Sequence, residues 1–462
     1  MSHISFVHCI DTEGPLYEDP ASTVQRVQEI TGVKFPDAPP LELLGQLKSG
    51  SINLGGIETN VQEILSEHRL QLNSNWQEID RMLETVGSRD FRERFMDCEG
   101  RPWAFSWFCL DHIGYSENPR KRDIGYHNIF DRYVNYCDSY NYEDEVYFHF
   151  HPMSRYREAH RCATSYSQSP HLYQIICRRL IDRGWFPSVF RAGFQAERPD
   201  SHLFLEQWIP FDFTNMSVDN WEPLEAQSDF RLGRSGNWKG APTSWTPYHP
   251  HIDDHRKVGD CRRWIARSLN SMNRMASISA DEIEKAFRDA CNTGIPQIVG
   301  MCGHDWRNLK SEVESLATTV SDVASQFPKT KFYFDSAKGA FQRYLRFFET
   351  EPAPPQFEID LRQDSNDFPR IEIKLTSGTV FGPQPFLAIK SPSRNYYHDN
   401  LDYYLDDNVW HYAFTPDSID INDVTDLAVG CADSWGNTVV KRYKKEHYSN
   451  RKLHLKPVID SF

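Results

Sequence analysis

Ile4-Ser-Phe-Val-His-Cys-Ile10 is a short, mostly apolar run that stops abruptly at the polar Asp11-Thr-Glu-Gly14. A run of this length with a sharp polar end reads as a strand buried in a sheet. Two carboxylates, Asp11 and Glu13, close it. The same design recurs downstream. Trp103 to Leu110 is a continuous aromatic and aliphatic run, and Glu145 to His151 is extended and ends in His149-Phe-His151. Ser188 to Phe190 precedes Arg191, Gln297 to Met301 leads to His304-Asp305, and Lys331 to Phe334 closes the series.

Helical patterns lie between these strands. Trp76 to Val86 carries Ile79, Leu83 and Val86 behind Asn73 and Asn75, a capped amphipathic helix. Leu172 to Arg183 stops at Gly184, and Leu203 to Trp208, Asp281 to Cys291 and Phe341 to Phe348 are further helices. Leu309, Val313, Leu316, Val320, Val323 and Phe327 keep a four-three spacing with one apolar stripe. Strands alternating with helices predict a parallel α/β architecture, closed as a barrel. The Pro- and Gly-bearing stretch from residue 15 to about Gly56 reads as an elaboration over the first strand.

The pattern changes at Glu351-Pro-Ala-Pro-Pro355, a stiff linker. Beyond it, Phe357 to Leu361, Arg370 to Leu375, Phe386 to Ile389, Trp410 to Phe414, Asp426 to Cys431 and Thr438 to Tyr443 are short alternating segments between turn residues. These predict a small antiparallel β-sandwich. The division is therefore an α/β barrel over residues 1–350 and a sandwich over 356–462. On this reading a chain ending near Glu351 folds alone.

Composition narrows the functional classes. With 462 residues, one large or two ordinary domains are expected. Net charge is −14 and no block of Lys or Arg is long enough to track a phosphate backbone, so nucleic acid is not an expected partner. The 21 Tyr and 12 Trp suit either a large core or the stacking platforms of a sugar site. Met1-Ser-His-Ile-Ser-Phe6 lacks the basic and apolar regions of a secretory signal, and no apolar run reaches the roughly 18 residues of a membrane span. Ten scattered cysteines without a CxxC pair fit reduced thiols. A cytoplasmic location is the expectation.

Chemistry concentrates where strands end. Carboxyl ends of parallel strands share one face, and catalytic groups collect there. His149 and His151 lie two apart on a strand, so both imidazoles face one side. One added carboxylate makes two nitrogens and one oxygen around a divalent metal, the ligand set of an open catalytic zinc site. Taken singly, Asp11 could cap a turn, Arg191 sit in a buried ion pair and His304 satisfy a core hydrogen bond. Their joint occurrence at four strand ends is what those readings explain badly.

In this order the motifs resemble the polysaccharide deacetylase family (NodB-homology, carbohydrate esterase family 4), in its divergent branch with D-x-E and H-x-H-P motifs. The matching residues are Asp11-Thr-Glu13, His149-Phe-His-Pro152, Phe190-Arg-Ala-Gly193, Pro210-Phe-Asp-Phe-Thr214 and Val299-Gly-Met-Cys-Gly-His304. Trp245-Thr-Pro-Tyr-His-Pro250 resembles that branch's substrate-side loop. The resemblance spans about residues 1–345 and implies a deformed (β/α) barrel of NodB type. It also implies a metal-dependent hydrolase that removes an acetyl or formyl group from the nitrogen of an amino sugar or glycan precursor. Glu13, His149 and His151 would hold one divalent ion, most simply Zn²⁺; Asp11 would be the base, aimed by Arg191, and His304 the acid. The sequence departs from the family at four points, one being that the third motif lacks the Pro common after its Arg. Glu13 replaces the usual second Asp, and the histidine pair is spaced by two, which leaves His160 as a rival ligand. The Asp that orients the acid has no clean match, with Asp219 the nearest. The second domain resembles immunoglobulin-like accessory modules, with Ala428 to Thr438 as a penultimate strand and its turn. A hydrolase of a non-sugar amide, an inactive sugar-binding relative, and a homo-oligomer of any of these all fit the same motifs.

Overall fold

A computed structural model describes residues 2–159, 165–219, 236–271, 276–362, 368–449 and 452–458. Its core is a ring of parallel strands: β1 (His3–Thr12), β2 (Phe105–Cys109), β3 (Glu145–Phe150), β4 (Val189–Ala192), β5 (Phe211–Asn215), β6 (Trp264–Asn270) and β7 (Gln297–His304). Each pairs with the next, and β7 returns to β1 along residues 4–11 and 297–304, closing a seven-stranded barrel. An eighth strand, β8 (Lys331–Phe334), pairs with the first half of β1, while β2 takes the second half. The barrel predicted from the alternating pattern is therefore present.

Side-chain alternation divides the ring into two faces. Val7, Cys9, Phe108, Tyr147, Val189, Phe211, Phe213 and Ile298 form an inner cluster. Ile4, Phe6, Ile10, Phe105, Trp107, Val299 and Met301 point outward. There they meet the apolar stripes of helices Trp76–Gly87, Asn128–Tyr140, Ala280–Thr293 and Leu309–Ala324. Helix Ala337–Leu345 closes the amino-terminal mouth: Phe341 stacks on Phe211 at 4.2 Å, and its first N–H groups donate to Ser106 and Tyr147. Among the described residues no helix is long and apolar enough to cross a membrane.

The sequence reading did not place the helix Asn128–Tyr140 or the strand Trp264–Asn270, and two further regions differ from it. Residues 20–70 contain helices Pro20–Thr31, Pro40–Ser49, Glu58–Ile64 and Glu67–Leu70, with a small core of Val24, Val27, Ile30, Leu43, Leu47 and Val61. The signals were local: Pro20 and Pro40 open two of the helices and Gly32 and Gly50 follow them directly. Trp245-Thr-Pro-Tyr-His-Pro250, expected beside the substrate, lies at the opposite mouth. Tyr248 pairs with Ile265 and the Trp245 carbonyl accepts from Ile298, both near the amino-terminal ends of their strands. The loop fills the gap where β6 and β7 diverge.

The parallel series ends at Leu345, and antiparallel strands begin at Gln356. They form a four-stranded and a five-stranded sheet whose facing residues, among them Ile371, Ile373, Leu387, Ile389, Trp410, Leu427 and Val429, make one core. This is the sandwich the sequence predicts. Its other face is not free. Phe386, Ala388, Ala428 and Ala432 alternate out of that core and pack on Leu180, Phe186 and Trp208 of the barrel. Contact is so close at Gly382 that a Cβ there would lie 1.8 Å from the Gln207 carbonyl oxygen.

The shared core reverses the expectation for a truncated chain. Each large apolar side chain re-exposed on the barrel costs roughly 1.5–3 kcal/mol. Together they rival a whole domain's stability of about 5–15 kcal/mol. A chain ending at Glu351 should therefore aggregate, or melt well below the full-length protein in circular dichroism. A cooperative melt within about two degrees of full length would contradict this packing argument.

Candidate metal centre

The alternation that builds the barrel also builds its rim. Continuing the inner series of β1 past Val7 and Cys9 brings Asp11 and then Glu13 to the lumen side. On β3 the series runs Tyr147, His149, His151; on β4 it runs Val189, Arg191, Gly193; on β7 it ends in Cys302 and His304. Register carries these positions side by side, with Asp11 opposite His304 and His149 opposite Arg191.

Three ligand atoms converge. His149 Nε2 and His151 Nε2 are 3.0 Å apart, His151 Nε2 is 3.4 Å from Glu13 Oε1, and His149 Nε2 is 3.9 Å from it. Metal bonds of about 2.0–2.1 Å set a tetrahedral ligand–ligand edge of roughly 3.3–3.4 Å. The triangle therefore fits one small divalent cation. Among the described residues this is the group of three metal-capable side chains whose ligand atoms all lie within 4.8 Å of one another. His149 donates Nδ1–H to the Arg191 carbonyl at 2.8 Å, which leaves its Nε2 lone pair facing the other two ligands.

Glu13 is clamped on several sides. Arg122 Nη2 donates to its second oxygen, Oε2, at 2.6 Å. Its carbonyl meets His112 Nε2 at 2.9 Å. Asp305 accepts the N–H groups of Glu13 and Gly14 at 3.1 and 2.9 Å and the Tyr133 hydroxyl at 2.9 Å. Burial by itself would raise the Glu13 carboxyl, but Arg122 and then His151 hold it well below the usual carboxylate range. Burial pushes Asp305 up to about 7 and His112 down to about 3. His149 is a contest: burial pulls it down, but Asp11 and Glu13 raise it above its ordinary value. His151 goes the other way, lowered by burial.

Beside the triangle, Arg191 Nε donates to Asp11 Oδ1 at 2.7 Å, and Nη1 is held by the Phe213 carbonyl at 2.7 Å and Ser268 at 3.1 Å. Both partners are buried. The other Asp11 oxygen, Oδ2, lies 3.9 Å from His304 Nε2. His304 rests against Trp306 with ring centroids 4.3 Å apart. Burial pushes it down to about 4, although its side chain keeps 16% of its surface open.

The structure thus brings Asp11, Glu13, His149, His151, Arg191 and His304 onto one rim. Asp219 does not join them: it is largely exposed, held by Lys285 at 2.9 Å and by Thr243, and cannot orient His304. The reason is local, because β5 ends at Asn215 and the chain has left the rim before Asp219. His160 lies outside the described residues. Arg122, His112 and Gly193 were missed by the sequence reading. Gly193 is needed for space: a Cβ there would stand 2.2 Å from the His151 ring. Its place two residues after Arg191, on the same face, was the available signal. No family model, curated protein or solved structure matches the chain.

Two outcomes follow from this geometry. His149→Ala, His151→Ala and Gly193→Ala should each lose stoichiometric Zn²⁺ in elemental analysis, the last because it displaces a ligand ring. A fully loaded Gly193→Ala protein would contradict the packing given for His151. Acid should also weaken binding. A proton on His149, favoured because its affinity for protons is raised, must leave before Nε2 can bind metal, whereas Glu13 stays ionised. Affinity should fall as the pH is lowered, approaching about tenfold per pH unit once His149 is mostly protonated, in a chelator competition. A constant affinity from pH 8 to pH 5 would rule this ligand out.

Proposed function

We propose that this chain is a metal-dependent amide hydrolase that removes an N-acyl group, acetyl or formyl, from an amino sugar or glycan precursor. On this reading it is a divergent relative of the polysaccharide deacetylases. One observation carries the hydrolase reading: the Glu13–His149–His151 triangle adjoins the Asp11–Arg191 pair and His304 on a single barrel rim. The sugar part rests on the motif series from Asp11 to His304.

A bound divalent ion, most simply Zn²⁺, supplies Lewis acidity that polarises a carbonyl and acidifies water. The remaining work falls to the chain. Glu13, His149 and His151 present one oxygen and two nitrogens and leave further positions open. Arg191 occupies Oδ1 of Asp11, so Oδ2 is the oxygen left to take a proton from the attacking water. His304 is neutral at pH 7, as burial holds it near 4. It therefore does not bring a proton into the reaction. Asp11 Oδ2, 3.9 Å away, is its nearest donor once protonated. His304 Nε2 then delivers that proton to the amine nitrogen, which leaves poorly as an anion.

The test is release of acetate or formate from a panel of N-acylated amino sugars. Asp11→Asn and His304→Ala should keep the metal and lose about two to four orders of magnitude in turnover, the usual scale for a removed acid or base. Glu13→Ala should lose metal and activity together. Turnover that survives full chelation would overturn the metal mechanism, and wild-type protein inert on every amide would overturn the enzyme reading.

A further inference from the structure

We infer that Arg122 is a positioning residue of the metal centre, which holds Glu13 to one-oxygen ligation and keeps the ion's remaining positions open. The inference rests on the Glu13–His149–His151 site and adds a residue to it. Glu13 offers two oxygens, and the structure assigns them different partners. Oε1 faces the two histidines at 3.4 and 3.9 Å, whereas Oε2 accepts Arg122 Nη2 at 2.6 Å. A carboxylate gripped at one oxygen by a guanidinium cannot turn both oxygens to an ion without losing a charge-assisted hydrogen bond.

The grip is itself built in. Arg122 is buried, and its Nη1 reaches the Gly14 and Pro15 carbonyls at 3.4 Å each. Its own backbone is pinned by Asn118, which accepts the Arg122 N–H at 2.7 Å and donates to its carbonyl at 2.6 Å. Residues 112–122 therefore act as a brace. One end, His112, meets the Glu13 carbonyl, and the other, Arg122, takes the side chain. Charge points the same way. Asp11 is matched by Arg191 and Glu13 by Arg122, so these four charges cancel in pairs. A dication held by Glu13, His149 and His151 would bring positive charge that the chain leaves uncompensated, the condition that favours an anion beside it.

Co²⁺ replaces Zn²⁺ as a visible probe, read without any substrate. Arg122→Gln should weaken Co²⁺ about 10- to 100-fold, the usual cost of a lost outer-shell partner. Its visible spectrum should also lose intensity, as the coordination number rises when Glu13 becomes bidentate. Arg122→Lys, which keeps the charge, should fall between wild type and Arg122→Gln in both readouts. Wild-type affinity and spectrum in folded Arg122→Gln would overturn the inference. Should that variant not fold, a crystal structure of the Zn²⁺-loaded wild type decides: Glu13 bound through Oε1 alone with Arg122 on Oε2 supports it, and bidentate Glu13 or a displaced Arg122 overturns it. Failure of the underlying site looks different, because wild type would then bind no Co²⁺, or Glu13→Ala would bind it equally well.

Discussion

The pairing of β7 with β1 is the constraint on which the rest of this molecule depends. Residues 4–11 run beside residues 297–304 without a register shift, and this seam turns an open sheet into a ring. Once the ring is closed, each strand has an inside and an outside, and alternation sorts every residue between them. Inside, the lumen is filled by apolar and aromatic side chains and sealed at one mouth by Phe341 and its helix. At the other mouth the same inward positions become Asp11, Glu13, His149, His151, Arg191 and His304. The rim is thus the continuation of the core.

Charge so close to a core is costly unless it is matched. An unpaired buried carboxylate would protonate, or would cost several kcal/mol if it stayed ionised. The rim meets this with two buried ion pairs, Asp11–Arg191 and Glu13–Arg122, and with donors aimed at Asp305. Asp305 has no cationic partner among the described residues and shows the consequence, with its carboxyl pushed up by burial to about 7. It nevertheless fixes the turn that carries Glu13, through two N–H groups and the Tyr133 hydroxyl. The position of Glu13 beside His149 and His151 therefore depends on hydrogen bonds made by residues outside that triangle.

The carboxyl-terminal sandwich is joined to the barrel by the same alternation. In the Phe386–Lys390 strand, Leu387 and Ile389 enter the sandwich core, while Phe386 and Ala388 cover Leu180 and Trp208. One strand thereby belongs to two cores. The Tyr396 hydroxyl and Lys390 both reach Asp182, tying the sandwich to the barrel helix His171–Arg183 at its solvent-facing edge as well.

Local patterns alone determined the strand ends, the shared side of His149 and His151, the one-stripe helix from Leu309, and the change of architecture around residues 351–355. Each depends on a period of two or of about 3.6, which neighbouring residues carry without help. Two of the helices between residues 20 and 70 carry equally local signals, Pro20 and Pro40 at their starts and Gly32 and Gly50 after their ends. The tertiary structure decided which charges meet. Arg191 lies 180 residues from Asp11 and Arg122 lies 109 from Glu13, so neither pair follows from spacing. It also decided that Gly193 makes room for His151, that residues 245–250 serve the far mouth, that Asp219 stands apart, and that the sandwich shares a core with the barrel. The reason is physical: periodicity says which way a side chain faces, whereas its partner is set by register and ring closure between strands hundreds of residues apart.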